Sequence, residues 1–137
     1  MKALFDANVL MDVLLERQPF ADESAQVVDQ VVRGAVTGLI GATTVTTIFY
    51  LAKREIGSKE AMRHIQKLMN LYEVAPVTRS VFDAAITSNS PDFEDVVLAE
   101  AAHQAGAQAI ITRNLKDFAR SPVRAYTPRQ WLAMDAA

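Results

Sequence analysis

The sequence predicts an α/β protein: a three-layer α/β/α sandwich built around a central, mainly parallel sheet. Two observations support this prediction. Short apolar runs alternate with longer segments in which apolar residues recur at helical spacing. The chain also has 137 residues, of which 50% are hydrophobic, which is enough apolar material for a buried core. Strands separated by helices pair in parallel and are covered by helices on both faces. We expect one domain, residues 1–137.

The first strand shows the pattern. Ala3, Leu4 and Phe5 form an apolar run that is too short for a helix, and the run ends at Asp6. Asn8 follows as the candidate cap of a helix. Four further strands are predicted at residues 37–41, 73–77, 108–112 and 124–126.

Helices fill the intervals between these strands, where apolar residues recur every three or four positions. Thr43 or Thr44 is the predicted cap of the helix after the second strand, and Gly57 is its predicted end. Six further helices are predicted. The first runs from residue 9 to the break at 17–19, and the second spans residues 22–32. The others begin at residue 58 and end before the third strand, span 78–86, span 92–105, and begin at 128.

Composition excludes several kinds of site. The chain has no cysteine, so disulfides, thiolate metal sites and a cysteine nucleophile are excluded. The chain has only two histidines, so we do not expect a histidine-rich metal site. No apolar run is long enough to span a membrane, and the N-terminus lacks a signal-like segment, so we expect a cytoplasmic protein without a membrane partner. A net charge of -2 means that any nucleic-acid binding would need a local basic patch.

Asp6 is the first candidate functional residue. Ligands of open α/β sheets bind at the carboxyl ends of the strands, and Asp6 follows the first strand. The alternative is that Asp6 and Asn8 only form the turn and cap the helix. Taken alone, this short segment slightly favours the alternative.

A second acidic segment begins the helix over 92–105. On that helix Asp95 shares a face with Leu98 and Ala99, the stripe that packs against the sheet. A buried, unpaired carboxylate is unfavourable by several kcal/mol, so we expect a positive partner such as a divalent cation. Asp92 is the predicted helix cap, and helical phase predicts that Glu94 points away from the face of Asp95. The alternative is that these residues only favour the helix dipole.

A third polar segment follows the strand over 108–112. Thr112, Arg113, Asn114 and Asp117 bring hydroxyl, amide and carboxylate groups to the sheet edge where Asp6 lies. The alternative is a loop in which Asn114 and Asp117 bind local backbone groups. Convergence of three polar segments on one edge favours a functional site.

Together, these segments resemble the PIN-domain family of metal-dependent ribonucleases, which includes the VapC-type toxins of bacterial toxin-antitoxin pairs. The matching segments are residues 4–10, 92–95 and 111–118, so the resemblance covers nearly the whole chain. It implies cleavage of single-stranded RNA with Mg²⁺ or Mn²⁺. It also implies RNA and an antitoxin protein as partners, and a homodimer.

The resemblance carries over to particular residues. Asp6, Asp95 and Asp117 are the implied metal ligands and catalytic residues, and Asn114 is a further catalytic candidate. The implied substrate-positioning residues are Asn8, Thr112 and Arg113, with Lys116 as a second basic residue nearby.

One departure from the family pattern concerns Thr47. The family has a glutamate in the helix after the second strand, and Thr47 stands at the matching position. Three carboxylates and several waters could still hold one Mg²⁺, but a second ion would be held poorly. Glu94 could turn into the site as a replacement, although its helical phase points it away from the face of Asp95, and the sequence leaves this alternative open. The departure therefore leaves a second function open: a catalytically weak or silent PIN-like module that binds RNA or a protein partner.

Overall fold

A five-stranded parallel sheet forms the centre of the computed structural model, which describes residues 1–136. The strands are β1 (Lys2–Phe5), β2 (Thr37–Gly41), β3 (Glu73–Ala75), β4 (Ala109–Ile111) and β5 (Ala125–Tyr126). Their order in the sheet is β3-β2-β1-β4-β5, and all four pairings are parallel. The predicted sheet is therefore confirmed, with β1 at its centre.

Helices cover both faces of the sheet. They are α1 (Ala7–Leu14), α2 (Ala21–Val32), α3 (Ala42–Leu71), α4 (Arg79–Thr87), α5 (Phe93–Gln104), a 3₁₀ helix (Leu115–Phe118) and α6 (Pro128–Ala136). Phe5 packs in a core shared with α1, α2, α3 and α6, whereas Leu4 packs in a second core with α4 and α5. Because neighbouring residues of a strand point to opposite faces, β1 contributes side chains to both cores. The three-layer sandwich is confirmed.

Two predicted helix caps are wrong. Asp6, not Asn8, caps α1, and its carboxylate accepts a hydrogen bond from the backbone N–H of Ala7 at 2.8 Å. Helix α3 begins at Ala42, directly after the extended residue Gly41, so neither predicted threonine caps it. Gly41 leaves room for Leu98, since a Cβ atom at this position would lie 2.5 Å from Cδ1 of Leu98 and that side chain would have to shift. Leu98 of α5 therefore packs directly against the end of β2.

Two boundaries show the effect of single residues. The break predicted at Gly57 is confirmed: the residue has a φ of 83°, and α3 is interrupted there before it continues. Strand β3 ends at Ala75, before the predicted residue 77, because Pro76 has no N–H to donate to the sheet.

The carboxyl ends of β1 and β4 lie side by side. Phe5 is paired with Ile111, and the N–H of Asp6 donates to the carbonyl of Ile111 at 2.9 Å. The residues that follow the two strands, Asp6 and Thr112, are therefore neighbours although they are far apart in sequence. Within residues 1–136, no helix is both long and apolar enough to cross a membrane.

Candidate metal centre

The Asp6 carboxylate is held by hydrogen bonds from two elements. One oxygen, Oδ1, accepts from the N–H of Ala7. The other, Oδ2, accepts from Nδ2 of Asn8 at 3.1 Å and from Oγ1 of Thr112 at 2.8 Å. Both side chains were predicted to position substrate, and the structure places both of them on Asp6. They fix the direction in which its carboxylate points.

The loop after β4 is tied to the start of α1 by further bonds. The N–H of Arg113 donates to Oδ1 of Asn8 at 3.2 Å, and the N–H of Asn114 donates to Oγ1 of Thr112 at 3.0 Å. Thr112 is completely buried, so its hydroxyl contributes through these contacts and not by facing solvent. The loop thereby sets the position of Asn114 and of the 3₁₀ helix that carries Asp117.

The closest grouping of carboxylates among the described residues consists of Asp92, Asp95 and Asp117. One oxygen from each lies within 4.8 Å of the others. Asp92 also caps α5, as predicted, because its Oδ1 accepts from the N–H of Asp95 at 3.2 Å. The sequence had placed Asp6 beside Asp95 and Asp117, and in the structure the third member of this tightest group is Asp92.

Asp6 nevertheless faces the same cavity. The cavity has a volume of about 350 Å³ and lies at the sheet edge. Its lining residues are Asp6, Ala7, Asn8, Met11, Arg17, Leu51, Asp92, Glu94, Asp95, Asn114 and Asp117. All four predicted catalytic residues therefore line one cavity, and Arg17 is the one basic residue in that lining.

Burial and mutual repulsion shift the acidity of two of these carboxylates. Burial raises the pKa of Asp6, and the charges of Asp117 and Glu94 add to this, while hydrogen bonds from Thr112 and Ala7 act against it. The pKa of Asp95 is raised to about 7, first by burial and then by Asp92, Asp117 and Asp6.

The residues that line the acidic cavity fit a divalent cation. Carboxylate and amide oxygens are the ligands that Mg²⁺ and Mn²⁺ prefer, and the cavity lining supplies both kinds.

The raised pKa of Asp95 predicts a pH effect on the stability of the metal-free protein. From about pH 4 to pH 7 the folded state holds more protons than the unfolded state, so the free energy of unfolding should fall as pH rises and level off above 7. Asp95→Asn should make this fall smaller by about 1 kcal/mol, after allowance for solvent screening of a partly buried group. Urea unfolding with a chelator at several pH values measures the difference. Glu100→Gln is the control on the same helix, and equal pH slopes in wild type and Asp95→Asn would contradict the prediction.

Arg113 does not line this cavity. Its guanidinium binds Asp12 of α1, with Nε at 2.6 Å from Oδ2 and Nη2 at 3.2 Å from Oδ1. It also lies 4.0 Å from the centre of the Phe20 ring. Asp12 is completely buried, and Nη1 of Arg17 is 4.0 Å from it. The predicted role of Arg113 in positioning substrate remains a prediction, while the contacts of its side chain are with α1 and Phe20.

Sequence reasoning missed Asp12 and Arg17. The signal for Asp12 is a charged residue inside the otherwise apolar helix α1, between Met11 and Val13. Helical phase points Glu94 away from the face of Asp95, and the sequence left open whether Glu94 turns into the site. Glu94 lies in the first turn of α5, where the end of the helix faces the sheet edge, and it lines the acidic cavity.

Comparisons with known proteins relate the chain to a family. A family model described as the PIN domain matches residues 2–116. Ribonuclease VapC1 of Aquifex aeolicus is 24% identical over 135 residues, which cover 95% of this chain and 92% of that protein.

Solved structures show the same fold. One is VapBC2 from Rickettsia felis bound to a promoter DNA fragment, with a TM-score of 0.70 at 12% identity over 93% of this chain and 98% of that chain. Another is a toxin-antitoxin complex from Klebsiella pneumoniae, with a TM-score of 0.70 at 21% identity over 92% of this chain and 97% of that chain. The parallel sheet, the acidic residues at its edge and the family match together establish that this chain belongs to the PIN-domain family.

Proposed function

We propose that the protein is an endoribonuclease that cleaves single-stranded RNA with Mg²⁺ or Mn²⁺. One observation carries the proposal: Asp6 after β1, Asp95 on α5 and Asp117 on the 3₁₀ helix face one cavity at the sheet edge. Carboxylates from three separate elements converge there, and their repulsion favours a bound cation. The curated relative from Aquifex aeolicus carries the name ribonuclease, which supports the same reaction.

In this proposal each residue has a distinct task. Asp6, Asp95 and Asp117 hold the cation, and Asn114 orients water or phosphate beside it. Asn8 and Thr112 keep the Asp6 carboxylate in place through the bonds described above. When bound, the cation would activate water and neutralise charge that develops on the phosphate.

RNA binding would depend on basic residues around the acidic cavity, because the net charge of -2 gives no overall attraction. Arg17 lines the cavity itself. Lys116 and Arg120 line an adjoining cleft of about 330 Å³, which also contacts Asp95 and Asp117. Their positions next to the acidic cavity support contacts with RNA phosphates in this proposal.

The biological role we propose is that of the toxin in a toxin-antitoxin pair. Structures with this fold include toxin-antitoxin complexes, which supports an antitoxin protein as partner. We also propose that residues 1–137 form a single domain, that two copies of the protein form a homodimer, and that the protein is cytoplasmic.

The alternative is a PIN-like module that binds RNA or a protein without efficient cleavage. Thr47 favours this alternative because it contributes a hydroxyl where the family pattern has a carboxylate. Incubation of the purified protein with end-labelled single-stranded RNA separates the two functions.

We expect cleavage with Mn²⁺ or Mg²⁺ and none with a chelator. Asp95→Asn, purified in the same way, controls for a contaminating nuclease and should be inactive. RNA binding without cleavage under all metal conditions would support the alternative and contradict the proposed enzyme.

A further inference from the structure

A small cavity lies beside the larger acidic one, between the starts of α3 and α5. It has a volume of about 30 Å³. The lining residues from α3 are Thr43, Thr44 and Thr47, and those from α5 are Glu94, Asp95 and Leu98. Asp6 and Ala7 complete the lining. The position at which the family resemblance expects a glutamate therefore faces Glu94 across one small space.

The charges in this cavity are unbalanced. Asp6, Glu94 and Asp95 contribute three carboxylates, and the lining includes no lysine or arginine. Thr47 adds no charge, and its hydroxyl donates to the carbonyl of Thr43 at 3.2 Å. Carboxylates that share a confined space without a cationic side chain favour a bound cation.

We propose that Glu94 supplies, from α5, the metal-binding carboxylate that Thr47 does not supply from α3. It would bind the same divalent cation as Asp6 and Asp95, so the inference rests on the proposed function and extends its ligand set. The carboxylate that the family pattern has at the position of Thr47 would then be replaced by that of Glu94, on the other side of the cavity.

Glu94 is free to take this role. It is exposed, and among residues 1–134 its carboxylate has no ion pair or hydrogen bond. It lines the small cavity and the larger one, as do Asp6 and Asp95. Its charge is one of the contributions that raise the pKa of Asp6. A glutamate has one more rotatable bond than an aspartate, so its carboxylate can reach a cation from the first turn of α5.

Titration calorimetry with Mn²⁺ tests the proposal without reference to catalysis. Five proteins are compared: wild type, Glu94→Gln, Thr47→Glu, the double variant and one control. Glu55→Gln is the matched control, because it removes one exposed carboxylate from α3 at a position that lines neither cavity. Circular dichroism with a chelator establishes that each variant is folded.

We expect Glu94→Gln to weaken Mn²⁺ binding by at least about tenfold, since even groups that only support a ligand contribute about ten- to a hundredfold. Adding Thr47→Glu should restore the affinity of Glu94→Gln, because the new carboxylate enters the same cavity from the other side. Glu55→Gln should bind as wild type does.

Different failures have different meanings. If wild type binds Mn²⁺ and Glu94→Gln binds it equally well, the role of Glu94 is overturned while the metal site stands. If Glu94→Gln binds Mn²⁺ more weakly than wild type and the double variant binds it no better, the two carboxylate positions do not serve the same cation, and the proposed replacement of one by the other is overturned. If wild type itself binds no Mn²⁺, the proposed metal-dependent function fails and this inference fails with it.

Discussion

Replacing Arg113 with alanine should lower the free energy of unfolding by about 3–5 kcal/mol, because it leaves a buried carboxylate without its main partner. Asp12 is completely buried, and Arg113 binds both of its oxygens. Arg17 is 4.0 Å away and can compensate only in part. The loss should therefore be large although Arg113 lies in a loop.

Urea denaturation of matched variants measures this effect. Arg33→Ala is the control, because it breaks an exposed ion pair with Asp29 and should change stability by about 0–1 kcal/mol. The double variant Asp12→Ala, Arg113→Ala should lose less than the sum of the two single losses. If Arg113→Ala is no less stable than Arg33→Ala, the proposed stabilising role of the pair of Arg113 with Asp12 is wrong.

Asp6→Asn should reduce RNA cleavage by at least about a hundredfold, since it removes a proposed metal ligand and not only a group that supports one. The fold should remain. Asparagine keeps an oxygen for the N–H of Ala7, but it turns an amide towards the donors Asn8 and Thr112. The loss of those bonds opposes the gain from removing a buried charge, so apo stability should stay within about 1 kcal/mol of wild type.

Cleavage rates and urea unfolding of the same preparations give both quantities. Asp22→Asn is the control, because Asp22 is exposed at the start of α2 and lies outside the acidic cavity. Wild-type cleavage by a folded Asp6→Asn protein would show that Asp6 only caps α1.

The parts of the site that depend on local pattern were accessible from sequence. The apolar run before Asp6 predicts a strand end, and helical phase places Asp95 on the face that carries Leu98. Parallel pairing then predicts that the end of β4 meets the end of β1, as the register of Phe5 and Ile111 shows. Each step follows from periodicity and from the rule that right-handed crossovers bring strand ends to one edge.

Features that depend on tertiary packing were not accessible. Asp12 and Arg113 are 101 residues apart, and nothing in either local segment selects the other as partner. Helical phase did not predict that Glu94 lines the acidic cavity. Phase describes which side of a helix a residue lies on, whereas Glu94 lies in the first turn, at the end of α5. Asn8 has the residue type of a cap, but the backbone turn begins at Asp6, and the carboxylate there takes the N–H of Ala7.

The most direct test of the metal centre is to locate the cation. Crystals grown or soaked with Mn²⁺ give an anomalous signal that marks its position without any assumption about ligands. We expect a peak in the acidic cavity at about 2.1 Å from carboxylate oxygens of Asp6, Asp95 and Asp117. A Mn²⁺-saturated crystal with no peak in that cavity, or with a peak that contacts none of these three residues, would contradict the account.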